Sequence, residues 1–432
     1  MAKMYKDSAD ADIVQLDLFE TPPTNASIKD RRYLNYHPVS GITKNTNVIH
    51  FSIKAHTLKY LDLKNTLLWV RVKIRDAAGN LPSEDDNVFP INHLLCSLWK
   101  QVEVYLGGKL VTTGTTNFHF KSIIKTILYR LKTYGLKNLL STQLFAHDTP
   151  GAHDSLKGDP TNKGAVFRQE LMGAGDTVEI EGELNEDIFD IEKMILNGVD
   201  LDVKLYVNRD DTTLMSDSPI KGYRIEIEDC MMKVCTNEVG NAIIGAHSET
   251  MIKDKALAEY FFTQSVLNNF SVSMGQRHFS QTIFQGKVPQ RIVVAMVSSD
   301  RFTGDYLLNP FYFDHFNVSN MCVLVNDVCT PHRPLEMNFE KRQFASALNT
   351  LQRTCPNVVV DYNAYDKGYA LFVFDINSSI NQDELPLQKS GTVRLEMQFD
   401  YPLPKPIQVL AYGEFQSSIE IDHTRAVMYT PL

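Results

Sequence analysis

The sequence predicts an all-β protein built from two similar β-sandwiches. Three observations support this fold class: alternating strand segments fill most of the chain, helical segments are scarce, and two sets of strands follow one order. In VDLDVKLYV (199–207), apolar side chains occupy the odd positions and mostly polar ones the even positions. Burying five side chains provides roughly 10 kcal/mol, which does not offset the entropy cost of ordering nine residues at about 1.5 kcal/mol each. The apolar face of this strand must therefore pack against a second sheet.

Period-two alternation and β-branched residues predict twelve strands, and clusters of Gly, Pro, Asn and Asp separate them. The first set comprises NVIHFSI (47–53), LLWVRVKIRD (67–76), WKQVEVYLGGKLV (99–111), DTVEIEGEL (176–184), VDLDVKLYV (199–207) and YRIEIEDCMMKV (223–234). The second set comprises EYFFTQ (259–264), RIVVAMVSS (291–299), NMCVLVNDV (320–328), YALFVFDI (369–376), TVRLEMQF (392–399) and IQVLAYGEF (407–415).

The two sets contain corresponding features in the same order. Pro90 precedes WKQVEVYLGGK, as Pro310 precedes SNMCVLVNDV, and Gly198 precedes its strand as Gly391 does. The spacing between these pairs drifts, so the similarity is one of order without a fixed period. We therefore expect a duplicated sandwich, with an extended N-terminal arm at 1–35, a first unit at 36–239 and a second unit at 240–432.

Composition narrows the function classes. The 432 residues are 43% hydrophobic and 22% charged, which is typical of a globular protein. The formal net charge is −9, and the first 35 residues mix acids with bases, so sequence-specific or electrostatic binding to nucleic acid is not expected. No charged-then-apolar leader precedes the six cysteines, so we expect reduced thiols and no secretory route. No apolar run approaches the roughly 20 residues that a membrane-spanning helix needs.

The clearest predicted helix runs from Phe120 to Leu140. Its apolar residues follow helical spacing, whereas its cations (Lys121, Lys125, Arg130, Lys132 and Lys137) have no acid near them in sequence. Such a helix either contacts a membrane or an acidic partner, or closes the end of a sandwich and leaves its lysines in water. The second interpretation is favoured, and contact with a membrane stays open. A less regular helix is predicted at about Asn338 to Leu351.

Two short motifs suggest chemistry, and a structural interpretation is favoured for each. Gly107-Gly108-Lys109 lacks the other residues of a phosphate-binding loop, so a tight hairpin turn is expected. His147, Asp148, His153 and Asp154 could bind a metal or serve in acid/base catalysis, but turn-forming DTPG predicts an ordinary polar loop. The sequence thus predicts no catalytic, cofactor-binding or metal-ligating residues, and no cofactor. Exposed loops are expected at Ala77–Asn87, His147–Lys163 and Asn208–Lys221.

Several segments resemble one protein family. They are LFETPPTNASIKDRRYLNYHPVS (18–40), LFAHDTPGAHD (144–154), the run from Thr177 to ILNGVDLDVKLYVNRDD, NPFYFDHFNVSNMCVLVNDVCTPHRPLE (309–336), DKGYALFVFDI (366–376) and the segment 391–422. Together they resemble the double jelly-roll major capsid proteins of polintons and adintovirus-like DNA viruses. The resemblance implies two consecutive eight-stranded jelly-roll sandwiches with a few short helices in loops.

The same resemblance implies a function in assembly. Homotrimers would form pseudo-hexameric tiles of an icosahedral shell around double-stranded DNA, with penton and minor capsid proteins as further partners. The protein would be located in the virion capsid after assembly inside the host cell. Three alternatives stay open: a glycoside hydrolase, which requires paired carboxylates and aromatic platforms; a non-enzymatic binding protein, including a captured or host-encoded relative; and a minor capsid component. Only Trp69 and Trp99 are available as tryptophan platforms, and both lie in predicted strands.

Overall fold

The computed structural model describes residues 7–9, 14–16, 18–19, 21–83, 86–132, 139, 141–156, 161–376, 385 and 387–430, and at 331 and 332 it describes the backbone. Within these ranges the chain forms two β-sandwiches, each made of two antiparallel sheets; three of these sheets have four strands and one has five.

The first sandwich pairs a sheet of order β1-β10-β3-β7 with a sheet of order β2-β8-β5-β6. Its strands are β1 Ile28–Tyr36, β2 Val48–Ile53, β3 Lys59–Arg75, β5 Trp99–Leu106, β6 Lys109–Leu110, β7 Val178–Glu183, β8 Leu201–Val207 and β10 Arg224–Val239. Two short strands, β4 Val88–Pro90 and β9 Leu214–Ser216, pair with each other outside these sheets.

The second sandwich repeats this arrangement, with sheets of order β11-β18-β13-β16 and β12-β17-β14-β15. Its strands are β11 Ala258–Val272, β12 His278–Lys287, β13 Arg291–Ser298, β14 Val318–Val325, β15 Val328–Glu336, β16 Leu371–Asp375, β17 Ser390–Phe399 and β18 Ile407–Ile421. A final strand, β19 Val427–Tyr429, pairs with β18.

Both sandwiches therefore have eight strands in the same jelly-roll order, which confirms the predicted fold class. The corresponding features of the sequence occupy equivalent places. Strands β8 and β17 each lie second in their sheet, β5–β6 and β14–β15 are equivalent hairpins, and β10 and β18 are equivalent long strands. In β8, Leu201, Val203 and Leu205 are fully buried, as the alternation predicts.

The helices lie in the connections between strands. They are α1 Leu94–Ser97, α2 Phe118–Lys125, which continues as a π-helical turn Thr126–Arg130, α3 Lys163–Met172, α4 Asp210–Thr213, α5 Asn241–Lys253, α6 Ser299–Thr303, α7 Ala345–Thr354 and α8 Tyr362–Tyr365. Short 3-10 turns occur at Val14–Leu16, Asp187–Asp190 and Pro219–Lys221. Among the described residues, no helix is long and apolar enough to cross a membrane.

Both predicted helices exist with shifted limits. The first begins at Phe118, and its predicted end includes 133–138 and 140, which lie outside the described residues. The second begins at Ala345, because Asn338 instead forms an isolated bridge with Gln343. Gly107 and Gly108 form the predicted hairpin turn with positive φ angles of 53° and 78°. All six cysteines are free thiols, as expected.

Several strands at sheet edges were not predicted from the sequence. Strand β1 includes residues 28–35, which were assigned to the arm, and it pairs with β10. The arm is therefore shorter than predicted at this end. Strand β1 has no fully buried residue, and a register shift between Thr282 and Phe284 interrupts the alternation of β12. Strand β15 contains two prolines.

The hydrophobic core forms two clusters that correspond approximately to the two sandwiches. The chain passes from one sandwich to the next through α5, between β10 and β11. Tyr260 and Phe262 of β11 and Ile419 and Ile421 of β18 nevertheless pack into the first cluster. The limits 36–239 and 240–432 stay a prediction.

Candidate functional site: the junction between the two sandwiches

Helix α2 and its π-helical turn connect the two cores. Phe118, at the start of the helix, packs in the first cluster. Phe120, Ile124 and Leu128 pack in the second cluster, together with strands β13 and β18. The helix thus belongs to the first sandwich by sequence but buries its apolar face against the second. This position makes it part of the junction rather than a cap on one sandwich.

Lys121, Lys125 and Arg130 are buried in ion pairs, which corrects the prediction that they lie in water. Lys132 is exposed as predicted, and Lys137 lies outside the described residues. Lys121 Nζ lies 2.7 Å from Glu186 Oε1 and 2.8 Å from Asp187 Oδ2. Lys125 Nζ lies 2.7 Å from Asp187 Oδ1. Arg130 continues the row, with Glu183 at 2.7 Å and Asp190 at 2.9 Å. The acids that are absent near the helix in sequence are supplied by residues 183–190, which the fold brings beside it.

Asp187 extends this network into the second sandwich. Ser265, on β11, donates its backbone N–H to Asp187 Oδ2 at 2.7 Å and its hydroxyl to Asp187 Oδ1 at 2.8 Å. Burial favours the protonated acid, but Lys121 and Lys125 outweigh it and hold the pKa of Asp187 below its ordinary value. For Glu186 burial prevails, and its pKa is raised. The Asp187 carboxylate thus links the lysines of the first sandwich to β11 of the second.

A second buried network surrounds Asp148. Arg168 Nη2 lies 2.8 Å from Asp148 Oδ1, and Asn162 donates to the same oxygen at 3.0 Å. From the second sandwich, Asn309 donates to Asp148 Oδ2 at 3.3 Å, and the Tyr369 hydroxyl donates to the Asp148 backbone carbonyl at 2.9 Å. Burial raises the pKa of Asp148, but the Arg168 guanidinium outweighs it, so the pKa is lowered. Asp148 is thus a structural anion.

The neighbouring residues of the His/Asp motif also contact the second sandwich. Arg301 forms a two-point ion pair with Asp154, at 2.6 and 2.5 Å. The ring of His153 is buried against Tyr312 and Tyr369, and neither of its ring nitrogens has a hydrogen-bond partner among the described residues. Burial lowers the pKa of His153 to about 4. His147 Nδ1 lies 3.3 Å from the Tyr369 hydroxyl.

The geometry shows how the acidic residues of the motif are engaged. Among the described residues, no three His, Cys, Asp or Glu side chains are arranged to hold a metal ion. Arginines engage the carboxylates of Asp148 and Asp154. The segment is not the exposed loop expected at His147–Lys163, since Asp148 and His153 are buried. The absence of a metal site stays a prediction.

The other two expected loops differ in exposure. Most described residues of Ala77–Asn87 are exposed. In Asn208–Lys221, residues 212–216 are buried because they form the end of α4 and strand β9. Of the tryptophans, Trp99 is fully buried, whereas Trp69 lies beneath Arg71, whose guanidinium carbon is 5.5 Å from the ring centre.

Comparisons with known proteins agree with this architecture. The fold is the double jelly roll of viral major capsid proteins. A chain of the Sputnik virophage, solved by cryo-EM, has a TM-score of 0.68 at 10% identity, over 98% of this chain and 93% of that one. The mavirus major capsid protein has a TM-score of 0.55 at 11% identity, over 98% and 96%.

Similarity to known proteins is more limited in sequence than in structure. No family model matches the chain. The uncharacterized protein F54H12.2 of Caenorhabditis elegans is 24% identical over 396 residues, which cover 87% of this chain and 91% of the nematode protein. The similarity therefore extends through both sandwiches and the junction.

Proposed function

We propose that this protein is a major capsid protein that assembles as homotrimers. The observation that carries the proposal is the repeated eight-strand order, which places two equivalent sandwiches in one chain. Three chains around a threefold axis present six sandwiches, so the trimer outline is nearly hexagonal. Closed threefold symmetry needs only one kind of contact between neighbouring chains. Such tiles then cover an icosahedral shell.

The junction supports this function mechanically. A tile keeps its outline only if the two sandwiches of each chain keep their relative orientation. The Arg301–Asp154 ion pair and the hydrogen bonds from Ser265 to Asp187 and from Asn309 to Asp148 cross between the sandwiches and hold that orientation. Separating the sandwiches would leave these buried groups unpaired. The chain acts by binding copies of itself rather than by catalysis.

The finer identity rests on the sequence resemblance. The shell encloses the double-stranded DNA of a virus or virus-like element of the polinton and adintovirus group, with penton and minor capsid proteins as further partners. The protein does not recognise a nucleic-acid sequence. The similarity to a nematode protein also favours a second candidate, a captured or host-encoded capsid relative that binds other proteins without building virions.

The mass and shape of the purified protein test the proposal. Light scattering coupled to gel filtration should give about 147 kDa, three times the chain mass of 49.0 kDa. Negative-stain micrographs should show hexagonal outlines or closed shells. A chain that stays monomeric at high concentration would contradict the capsid function, and a monomer that captures a defined protein ligand would support the second candidate.

A further inference from the structure

A groove lies where the N-terminal segment enters the first sandwich. It consists of two adjoining cavities of about 640 Å³ and about 470 Å³, and Ile28 and Met194 line both. Its walls come from the starts of β1, β3 and β11, from helix α5 and from residues 193–196. We call it the root groove, because Asn25 and Ser27 of the arm lie on its border. Cavities of this size accept several side chains.

One end of the root groove is apolar, and its walls are in place in the single chain. The Tyr60 hydroxyl lies 2.9 Å from His247 Nδ1, and the Tyr260 hydroxyl accepts the Leu196 backbone N–H at 3.1 Å. These bonds fix both rings in the wall. Leu257, on the border, is 40% exposed. An apolar occupant would remove this surface from water without rearranging the wall.

The other end contains a buried amide without a partner. Asn237 lines the smaller cavity, and its side chain is fully buried with no hydrogen-bond partner at Oδ1 or Nδ2 among the described residues. Leaving such a group unpaired is costly. A side-chain amide offers an acceptor and two donors, and a small rotation toward the groove would let it pair with the N–H and C=O of an extended peptide. The groove thus combines an apolar end with an unpaired amide beneath its other end.

The arm carries residues of the matching kind. Leu16, Leu18 and Phe19 are 73%, 78% and 96% exposed, so a single chain does not bury them. Pro22 and Pro23 stand between them and Ser27. Two adjacent prolines favour an extended backbone, which opposes the reversal that would return these side chains to the groove of their own chain.

We propose that the apolar arm residues Leu16, Leu18 and Phe19 of one copy bind in the root groove of a second copy. The inference rests on the proposed self-assembly. The proposed contact also sets a geometric limit. The eight Cα–Cα distances between Phe19 and Ser27 span at most about 29 Å in a fully extended chain. The receiving groove must lie within that distance of the donor's Ser27.

Disulfide trapping between differently tagged chains tests the contact. In a Cys329→Ser background, which removes the one half-buried native thiol, one chain carries Leu18→Cys and a larger tagged chain carries Leu257→Cys. The two are co-expressed and oxidised mildly after assembly. A band with the summed mass of both chains on a non-reducing gel is the expected result. As a matched control, Ile220→Cys, on the exposed Pro219–Lys221 turn, should give no such band with Leu257→Cys.

The outcomes separate this inference from the proposed function. Trimers or shells without the mixed band would overturn the arm contact and leave the capsid function intact. A chain that carries both cysteines and forms the disulfide only within itself would also overturn the arm contact. So would native mass spectrometry that finds a small apolar molecule bound in the groove. Monomers that never associate would overturn both. Phe19→Asp with Leu18→Asp should reduce trapping of a neighbouring pair, Leu16→Cys with Leu257→Cys, about tenfold.

Discussion

Lys121 Nζ and Glu186 Oε1 lie 2.7 Å apart in the interior of the protein, although 65 residues separate them in sequence. Both side chains are almost completely buried. The pair joins the helix that packs on the second core to the turn that precedes β8, so it connects local folding to the relative placement of the sandwiches. Together with Asp187 and Ser265 it links the helix to β11 of the second sandwich.

Replacing Lys121 with Met should destabilise the protein by about 3–5 kcal/mol, because Glu186 and Asp187 would lose a buried partner. Urea unfolding followed by tryptophan fluorescence measures this loss. Lys253→Met is the matched control, since its pair with Glu249 is exposed on α5 and its loss should hardly move the midpoint. Equal effects of the two substitutions would show that the junction pair is dispensable.

Acid should destabilise the fold through buried histidines. Burial lowers the pKa of His119 to about 3 from its ordinary 6.5, and its ring packs against Phe120 and Phe311. Between these pH values the unfolded chain binds a proton that the folded chain does not, so stability falls as pH decreases below about 6.5. His119→Phe should make this decrease shallower, as measured by urea midpoints at about pH 7.5 and about pH 5.

The exposed His56 provides the comparison for that measurement. His56→Gln, measured at the same two pH values, shows how far the loss of any histidine alters the slope. If His119→Phe had the same pH dependence as the parent protein, protonation of His119 would not contribute to acid unfolding.

Gly182 on β7 should not tolerate a side chain. A Cβ at this position would lie 2.1 Å from the Thr142 carbonyl oxygen, a backbone atom that cannot move aside freely. Gly182→Ala should therefore destabilise the protein by about 1–3 kcal/mol. Gly245→Ala, in α5 with no atom within 4 Å, should instead stabilise it by about 0.5–1 kcal/mol. The midpoints of thermal unfolding of these two variants distinguish a steric clash at Gly182 from a general effect of alanine.

Deletion of Met1 to Thr24 should leave trimers but impair shells, because it removes the arm and keeps strand β1. Light scattering reports the trimer, and electron microscopy of assembled material reports the shells. Shells that form as readily from the shortened chain would count against a function of the arm in assembly.

Purified protein should contain no stoichiometric metal, because arginines engage the carboxylates of Asp148 and Asp154. Elemental analysis by mass spectrometry tests this expectation. A metal present at one per chain, and lost in the double variant His147→Ala with His153→Ala, would restore the metal-site interpretation.

Local sequence was sufficient for strands that have one dry face. Leu201, Val203 and Leu205 alternate with polar residues because a sheet buries alternate side chains, and this pattern also revealed the order shared by the two halves. Edge strands such as β1 were missed, since water on both faces removes the alternation. For the same reason the end of the arm was placed too late in the chain.

The chemistry of the junction depended on the tertiary structure. A helix with Lys121, Lys125 and Arg130 and no nearby acid suggests a solvated or membrane-facing surface, and the true partners lie some 60 residues away. Likewise, Asp148 and His153 resembled an exposed turn or a metal motif until Arg168, Asn309 and Tyr369 were placed around them.

The sequence by itself determined the all-β class and two sets of strands with a shared order along the chain, because period-two burial is a local property of each strand. Only the tertiary structure decided which charged side chains are buried, which side chains join the sandwiches and where the root groove lies. Ion pairing and burial depend on distances between segments far apart in the chain, and such distances exist only after the sheets have packed.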